Sequence, residues 1–416
     1  MRRRVLRTCS IWLLLLIPWM AQAQWQWIGP SGGMLAGFAQ SPSSPNILYA
    51  ASQVYPAGVY KTTNRGDLWT RVGSISTYPY AIAVHPTTPS TVYIAAGYQV
   101  CKSTDGGVNW TSVNLETSHY ARSISLQPGN PSILHCSAYY YNTTTQVPNL
   151  AYLKSTNAGL TWSAKIVSSD YGFGYAAVGD PTNANIVYVC GYCESGGMYL
   201  GKVYKSTNGG TDFIDQTGTI TGYVYDLAHD PAVAGKIYAA SSAGVYRSTD
   251  GGSTWTQSTG VYSVEHIAIC PGNTSMLYSG TSSGQVYKST DGGSNWSVAP
   301  TGLTGLSSMG LAVETASTVF HATVAGVFRT TNGGTLWTPV NTGISAAHIT
   351  CVRHAPSNPS VVYAGVSGDA VYKTTTAGQA TVTWSRIPDF YSCTEVSDII
   401  ISPTSPDILY ALEGGT

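Results

Sequence analysis

The sequence has few charged residues and no excess of basic ones. Of its 416 residues 10% are charged, with 20 basic and 20 acidic side chains. Four of the 20 basic residues lie in the first seven positions, so 16 remain against 20 acidic residues in the rest of the chain. Nucleic-acid binding needs clustered lysine and arginine, so this balance argues against such a partner.

The cysteines form no recognisable metal-binding pattern. Seven follow Cys9, and an odd number leaves at least one thiol free even in an oxidising compartment. Cys190 and Cys193 could form a disulfide within their loop or bind a metal, but no second such pair or histidine pair accompanies them. Cys101 and Cys270 are expected to be buried thiols. We therefore predict no metal and no cofactor.

The sequence also lacks an apolar run long enough to span a membrane. The apolar run from Ile11 to Met20 is too short. Arginines precede it and Ala21-Gln-Ala23 follows it, which is typical of a cleaved signal peptide over residues 1–23. We expect the mature chain, 24–416, to be secreted, periplasmic or at the cell surface, without a membrane span.

Glycine, tyrosine and one repeated phrase are abundant. The chain has 45 Gly and 29 Tyr, and the phrase Tyr246-Arg-Ser-Thr-Asp-Gly-Gly-Ser-Thr-Trp255 has seven further copies at steps of 41 to 52 residues. Residues beside each copy alternate between apolar and polar, as half-buried strands do, and helical periodicity is missing. Such a repeat predicts an all-β protein of β-propeller blades. The acceptor position of the phrase is occupied in turn by Asn64, Asp105, Asn157, Asn208, Asp250, Asp291, Asn332 and Thr376.

Each copy of the phrase is expected to form a hairpin turn. The Asp or Asn side chain accepts backbone N–H groups, the glycines adopt positive φ, and the Trp begins the next strand with a large apolar face. Asn replaces Asp in four copies and Thr in one, which keeps an acceptor but removes the charge. A structural turn tolerates that exchange, whereas carboxylate chemistry would not.

These residues resemble the Asp-box, or BNR, repeat, and the match covers nearly all of the chain after residue 45. Proteins with this repeat include sialidases, xyloglucan-cleaving glycosidases and sortilin-type receptors. The resemblance implies a β-propeller with each box between the third and fourth strands of a blade, on the face away from the active site.

The repeats predict four strands each, with eight complete copies. A ninth begins at Glu395 and stops at Thr416 before its box, so we expect a C-terminally incomplete propeller. Trp25–Pro30 looks like the last strand of a repeat and is expected to complete the final blade, which would close the ring without a free edge.

Two loops between second and third strands are long, residues 138–152 and 190–201, and both should lie on the face opposite the boxes. Exposed aromatic planes with few charges suit sugar rings or protein segments. The alternative is that these tyrosines are strand-end residues with solvated hydroxyls. The candidate ligand-binding residues are Tyr139, Tyr140, Tyr141, Tyr192, Glu194 and Tyr199 in the loops, with Arg122, Tyr225 and His266 beside the channel mouth.

Charged residues begin several first strands, at positions that should line the mouth of a propeller channel. They are Arg122, Asp226, Glu265, His266 and Asp398. Ion pairs across the mouth are the simpler interpretation. The alternative is acid–base catalysis by two carboxyl groups among Asp226, Glu265 and Asp398.

The resemblance to enzymes is weak at the residues that matter. Sialidases have three arginines and a Phe/Tyr-Arg-Ile-Pro motif, which this sequence lacks, and the xyloglucan-cleaving relatives have an acid near the first blade, where residues 34–51 have none. We therefore expect a non-catalytic binding or scaffold protein that recognises an extracellular glycan or protein ligand. The alternative is a xyloglucanase-like or sialidase-like glycoside hydrolase; a sortilin-type receptor would need a membrane span.

Overall fold

The computed structural model describes residues 32–413 with gaps at 54–56, 300–302, 304–305, 343–344, 348, 368–369, 378–381 and 388–395. The predicted signal peptide and Trp25–Pro30 lie outside these residues. Regular structure within the described part of the chain is entirely β. Over the same residues, no helix has the length and apolar character needed to cross a membrane.

The repeats fold as antiparallel sheets in which the first, second, third and fourth strands are neighbours in that order. This confirms the predicted all-β class and the four strands per repeat. Repeats 1 and 2 consist of Leu35–Gln40, Leu48–Ser52, Ala57–Thr62 and Trp69–Ile75, then Ala81–Val84, Val92–Ala96, Gln99–Ser103 and Thr111–Asn114. Repeats 5 and 6 consist of Val224–His229, Ile237–Ser241, Gly244–Ser248 and Thr256–Gln257, then Val264–Ile269, Leu277–Thr281, Val286–Ser289 and Ser297–Ala299. Repeat 7 consists of Ser308–Val313, Val319–Thr323, Gly326–Thr330 and Thr338–Pro339.

Repeats 3 and 4 are joined into one eight-stranded sheet by the 17-residue strand Ser163–Gly179. Its first part is the fourth strand of repeat 3 and its second part is the first strand of repeat 4. The two long loops of the sequence are β-hairpins that extend this sheet. The other strands are His119–Ala121, Ser125–Leu126, Leu134–Asn142 and Val147–Ser155 in repeat 3, and Val187–Ser195, Met198–Ser206 and Ile214–Asp215 in repeat 4.

Repeats 1 to 7 form a ring around a central channel. The first strands of all seven repeats line a single cavity of about 250 Å³. The first strand of repeat 7, Ser308–Val313, packs against that of repeat 1, Leu35–Gln40, as the first strands of repeats 5, 6 and 7 pack in succession. The architecture is a seven-bladed β-propeller.

Repeats 8 and 9 lie outside this ring and share their own apolar core. Repeat 8 consists of Ile349–Ala355, Asn358–Val366, Val371–Thr374 and Ser385–Arg386, and repeat 9 of Val396–Ile401 and Leu409–Glu413. The first strands of the two repeats pack together. Between ring and repeat 8, Ser345–Ala346 pairs in parallel with Gly32–Gly33, just after the N-terminal segment expected to close the propeller.

The repeated phrase forms the turn between the third and fourth strands. In repeat 5 the Ser248 hydroxyl accepts the N–H of Gly252 at 2.8 Å and donates to Asp250 Oδ1 at 2.7 Å. Asp250 Oδ1 accepts the N–H of Thr254 at 2.9 Å. In repeat 3, Asn157 Oδ1 likewise accepts the N–H of Thr161 at 2.9 Å. Since one side-chain oxygen makes the bonds that close the turn, Asn and Asp serve equally.

Neighbouring repeats are joined at these turns by a clasp, in which donors of one repeat bond to a carbonyl in the box turn of the next. The Tyr188 hydroxyl and Lys205 Nζ of repeat 4 donate to the Gly251 carbonyl of repeat 5, at 2.8 and 2.7 Å. Lys102, Lys154 and Lys288 reach the following box in the same way, at 2.9, 2.8 and 3.2 Å. The clasp therefore recurs around the ring.

The same position closes the ring between repeats 7 and 1. Arg329 Nη1 donates to the Arg65 carbonyl at 2.9 Å and to the carboxylate of Asp67 at 2.8 Å. Trp69 Nε1 donates to the Val340 carbonyl at 2.7 Å. Repeat 7 thus holds the box of repeat 1 as repeats 2, 3, 4 and 6 hold the boxes of the repeats that follow them.

Candidate ligand-binding face

A β-bulge recurs near the start of the innermost strands. It leaves one residue out of register in five ring repeats, namely Ala36, Tyr175, Tyr225, Glu265 and Met309. Bulges re-aim a side chain relative to the regular strand. All five residues line a cavity of about 330 Å³, together with Tyr80 and Arg122 at the start of the innermost strands of repeats 2 and 3. We call these seven residues the mouth ring.

The mouth ring lies at the end of the propeller opposite the box turns. Its residues precede or begin the first strands, whereas the boxes follow the third strands, and in an antiparallel sheet those points are at opposite ends. Gln53, which follows the second strand of repeat 1, lines the same cavity. This is the face on which the sequence predicts ligand binding.

Arg122 and Glu265 are the charged members of the mouth ring. The Arg122 guanidinium lies over the Tyr80 ring, 4.6 Å from its centroid. Glu265 accepts a long hydrogen bond of 3.4 Å from the Ser307 hydroxyl, and burial raises the pKa of its carboxyl. Among the described residues, neither side chain has an oppositely charged partner within 4.0 Å. The ion pairs expected across the mouth are therefore not formed by these two residues.

Asp226 and His266 lie one residue deeper in the channel. Asp226 accepts the N–H groups of Leu227 at 2.8 Å and Ile267 at 3.1 Å, one on each carboxylate oxygen. Burial raises the pKa of Asp226 to about 7, against these two bonds. His266 Nδ1 is 3.9 Å from Asp226 Oδ2, and burial lowers the pKa of His266 to about 4. The histidine is therefore neutral at pH 7.

Asp398 is not part of this group. Its carboxylate pairs with the Arg353 guanidinium within repeats 8 and 9. The ring closes after repeat 7, so the first strand of repeat 9 lines no part of the mouth. In the repeat pattern of the sequence every first strand looks equivalent, so that pattern could not show after which repeat the ring closes.

A continuous aromatic surface extends from the mouth ring over repeats 3 to 5. Phe173 and Tyr175 lie on one side of the long shared strand, and Tyr192 packs against both, with ring centroids at 5.6 and 5.9 Å. Tyr139 is 4.9 Å from Phe173 and stacks on Tyr120 at 4.7 Å. The other members, joined by centroid distances of 5.0 to 5.7 Å, are Tyr171, Tyr199, Tyr223 and Tyr225.

The predicted loop residues divide between the two sides of the hairpins. Tyr139, Tyr192 and Tyr199 belong to the aromatic surface, and Tyr199 is 49% exposed. Tyr140 points to the other side, where it packs on His119 at 4.9 Å and against the core between repeats 2 and 3. Tyr141 is 41% exposed near the hairpin tip. Glu194 pairs with Tyr199 across the second hairpin.

The six cysteines in the described residues are all buried and free, including Cys101 and Cys270, as predicted. Cys190 and Cys193 form no disulfide. Cys190 packs in the core between repeats 4 and 5, and Cys193 in the core between repeats 3 and 4. Residues three apart on a strand point to opposite sides, so the Cys-x-x-Cys spacing here marks a strand and not a metal loop. No metal-binding cluster occurs within the described ranges.

Comparisons with known proteins find distant relatives. No family model matches the sequence. A xyloglucanase of Hypocrea jecorina (strain QM6a) is 25% identical over 281 residues, 61% of this chain and 30% of the relative. A xyloglucanase of Paenibacillus sp is 24% identical over 280 residues, 60% of this chain and 24% of the relative. The chain thus spans less than a third of the length of these curated relatives.

Solved structures give the same fold. The GH74 xyloglucanase from Xanthomonas campestris has a TM-score of 0.63 at 14% identity, covering 87% of this chain and 68% of that one. YCF48 from Cyanidioschyzon merolae has a TM-score of 0.53 at 15% identity, covering 73% and 96%. YCF48 bound to D1 peptide scores 0.52 at 14% identity, covering 73% and 94%. The chain is thus a β-propeller distantly similar to xyloglucanases and to YCF48.

Proposed function

We propose that this chain is a non-catalytic binding protein, exported from the cytoplasm, that holds a neutral glycan chain on its aromatic surface. The observation that carries this proposal is the continuous set of aromatic rings beside the mouth ring, with Tyr199 half exposed at its outer edge. Aromatic faces with few charges suit the apolar faces of sugar rings, and tyrosine hydroxyls can bond to sugar hydroxyls. The similarity to xyloglucanases supports a glycan as the ligand class.

The carboxyl groups at the mouth support binding without hydrolysis. Glycoside hydrolysis needs two carboxyl groups on either side of the scissile bond, free to act as acid and as base or nucleophile. Asp226 has both oxygens engaged by backbone N–H groups, which leaves Glu265 as the less engaged carboxyl of the mouth. The innermost strand of repeat 1, Leu35–Gln40, carries no acid at all.

A glycoside hydrolase is the second candidate. Burial raises the pKa of both Asp226 and Glu265, to about 7 in the case of Asp226. A carboxyl group with a raised pKa is what a general acid needs at neutral pH. On this alternative, xyloglucan or sialyl substrates would be cleaved, and Asp226→Ala or Glu265→Ala would abolish that turnover.

Binding to immobilised glycans tests the proposal. Xyloglucan, mixed-linkage glucan and sialylated glycans are presented to the chain and to the variant Tyr139→Ala/Tyr199→Ala. We expect retention on a neutral glucan and a loss of affinity in the variant of about 30-fold or more, since each of the two stacked rings contributes about 1–3 kcal/mol by analogy with other aromatic stacking sites. The matched control is Tyr410→Ala, an exposed tyrosine on repeat 9.

Two results would contradict the proposal. One is retention of glycan binding by the double variant, which would place the ligand elsewhere. The other is binding only to peptides: YCF48, whose fold this chain shares, is known bound to D1 peptide. A peptide array run beside the glycans separates that outcome.

A further inference from the structure

The mouth ring holds two opposite charges that do not neutralise each other. Arg122 and Glu265 line the same cavity of about 330 Å³, at the third and sixth of its seven positions, nearly across from one another. Both side chains are half-buried. Partly desolvated charges are costly unless they are paired or fully hydrogen-bonded. Each of these two side chains is therefore available to pair with an oppositely charged group of a ligand.

The remaining walls limit what such a ligand can be. Tyr175 and Tyr225 stand between the two charges with ring centroids 5.2 Å apart, and Tyr80 backs the guanidinium. The rest of the lining is uncharged and partly polar, and consists of Ala36, Met309, Gln53, Ser307, Ser308 and the neutral His266. The volume is in the range of small-molecule sites, and tyrosine faces also attract cations. Asp226 does not line this cavity, and each of its oxygens already accepts one backbone N–H group.

We propose that the mouth ring binds a small zwitterion of amino-acid size, with its carboxylate on Arg122 and its ammonium group on Glu265 beside Tyr225. An Arg guanidinium offers paired donors to a carboxylate, and a carboxylate accepts from an ammonium group. A simple anion would satisfy Arg122 and leave Glu265 unpaired, and a simple cation would do the reverse. A ligand with both charges satisfies both residues at once.

This site shares Tyr175 and Tyr225 with the aromatic surface, but its two charged residues, Arg122 and Glu265, lie outside that surface. The glycan proposal and the zwitterion proposal are therefore tested by different variants. The test is isothermal titration with ω-amino acids of increasing length: glycine, β-alanine, 4-aminobutyrate, 5-aminovalerate and 6-aminohexanoate. Butyrate and butylamine serve as singly charged probes. The titrations are run at pH 8, because burial raises the pKa of Glu265 and the carboxylate must be ionised.

We expect one chain length to bind at least tenfold more tightly than its neighbours in the series and than either singly charged probe. Arg122→Gln and Glu265→Gln should each reduce that preference to the level of a single charge. Arg353→Gln, which removes an arginine of repeat 8 that pairs with Asp398, is the matched control and should change nothing. Tyr139→Ala/Tyr199→Ala should lose glycan and keep the amino acid.

The proposal is overturned if no member of the series binds at millimolar concentration, or if zwitterions bind no better than butyrate and butylamine. Both results come from the unaltered chain, so they hold even if a variant fails to fold. Equal affinity in the unaltered chain and in both mouth variants would also overturn it, because binding would then occur elsewhere.

Discussion

Asp226 shows how position within the channel sets the properties of a single residue. The sequence places it at the start of an innermost strand, and the structure adds that both its oxygens face backbone N–H groups. Its side chain is 26% exposed, yet burial raises the pKa to about 7. The protonation state of Asp226 is therefore sensitive to pH in the neutral range, and this is measurable through stability.

The Asp226 carboxyl should destabilise the folded protein as pH rises. Its folded pKa of about 7 exceeds the unfolded value of 3.8, so the folded state holds the proton more tightly. Below pH 3.8 the Asp226 carboxyl is protonated in both states and has no net effect on the free energy of unfolding. As pH rises to about 7, ionisation in the unfolded state lowers that free energy. Asp226→Asn cannot ionise, so its unfolding temperature should improve relative to the unaltered chain between pH 4 and pH 8, by roughly a few degrees. Parallel curves of unfolding temperature against pH would show that the carboxyl titrates normally.

Much of the residue-level chemistry of the mouth could not be predicted from sequence. Arg122, Asp226, Glu265 and His266 were recognised because charges are rare at the starts of these strands. The bulge was not visible, since it is a shift in hydrogen-bond register and not a residue type. An alignment of the repeats on their innermost strands would nevertheless have placed Ala36, Tyr80, Tyr175 and Met309 at equivalent positions, as residues of the mouth ring.

At the level of elements, the two long loops show what a repeat pattern can and cannot predict. Their place on the face opposite the boxes is as expected, but they are hairpins joined through one shared strand. Side chains alternate along a strand, so Tyr139 and Tyr140 point to opposite sides. Treating the segment as a loop grouped these two tyrosines, although only Tyr139 belongs to the aromatic surface.

The clasp between repeats 4 and 5 should be cooperative. Tyr188→Phe and Lys205→Met each remove one of two donors to the Gly251 carbonyl, at a cost of about 0.5–1.5 kcal/mol. The double variant removes both donors, so its loss of unfolding free energy should exceed the sum by about 0.5–3 kcal/mol. Chemical denaturation of the unaltered chain, the two single variants and the double variant measures this coupling free energy.

The control for the clasp is Lys165→Met. Lys165 forms an exposed ion pair with Asp212 at 3.3 Å and is expected to contribute little. Additive losses for Tyr188 and Lys205 would mean that water satisfies the Gly251 carbonyl when both donors are gone. The clasp would then position the repeats without stabilising them jointly.

For the whole molecule, the number of repeats did not give the number of blades in the ring. Repeat 8 has four strands, as predicted, yet it packs with repeat 9 outside the ring. The deciding contacts are Arg329 with the first box and Trp69 with Val340, which tie repeat 7 to repeat 1. These residues are about 260 to 270 positions apart in the sequence, and no local pattern identifies them as partners.

The proposed function has two properties at this scale: the propeller holds a glycan, and it does not cleave that glycan. The most direct measurement combines both properties in one sample: the chain is titrated with xyloglucan oligosaccharides, incubated, and the sugars are then analysed by mass spectrometry. We expect saturable binding, no new reducing ends and recovery of intact oligosaccharide. Shortened products that disappear with Asp226→Ala or Glu265→Ala would contradict the proposed function and make the chain a glycoside hydrolase.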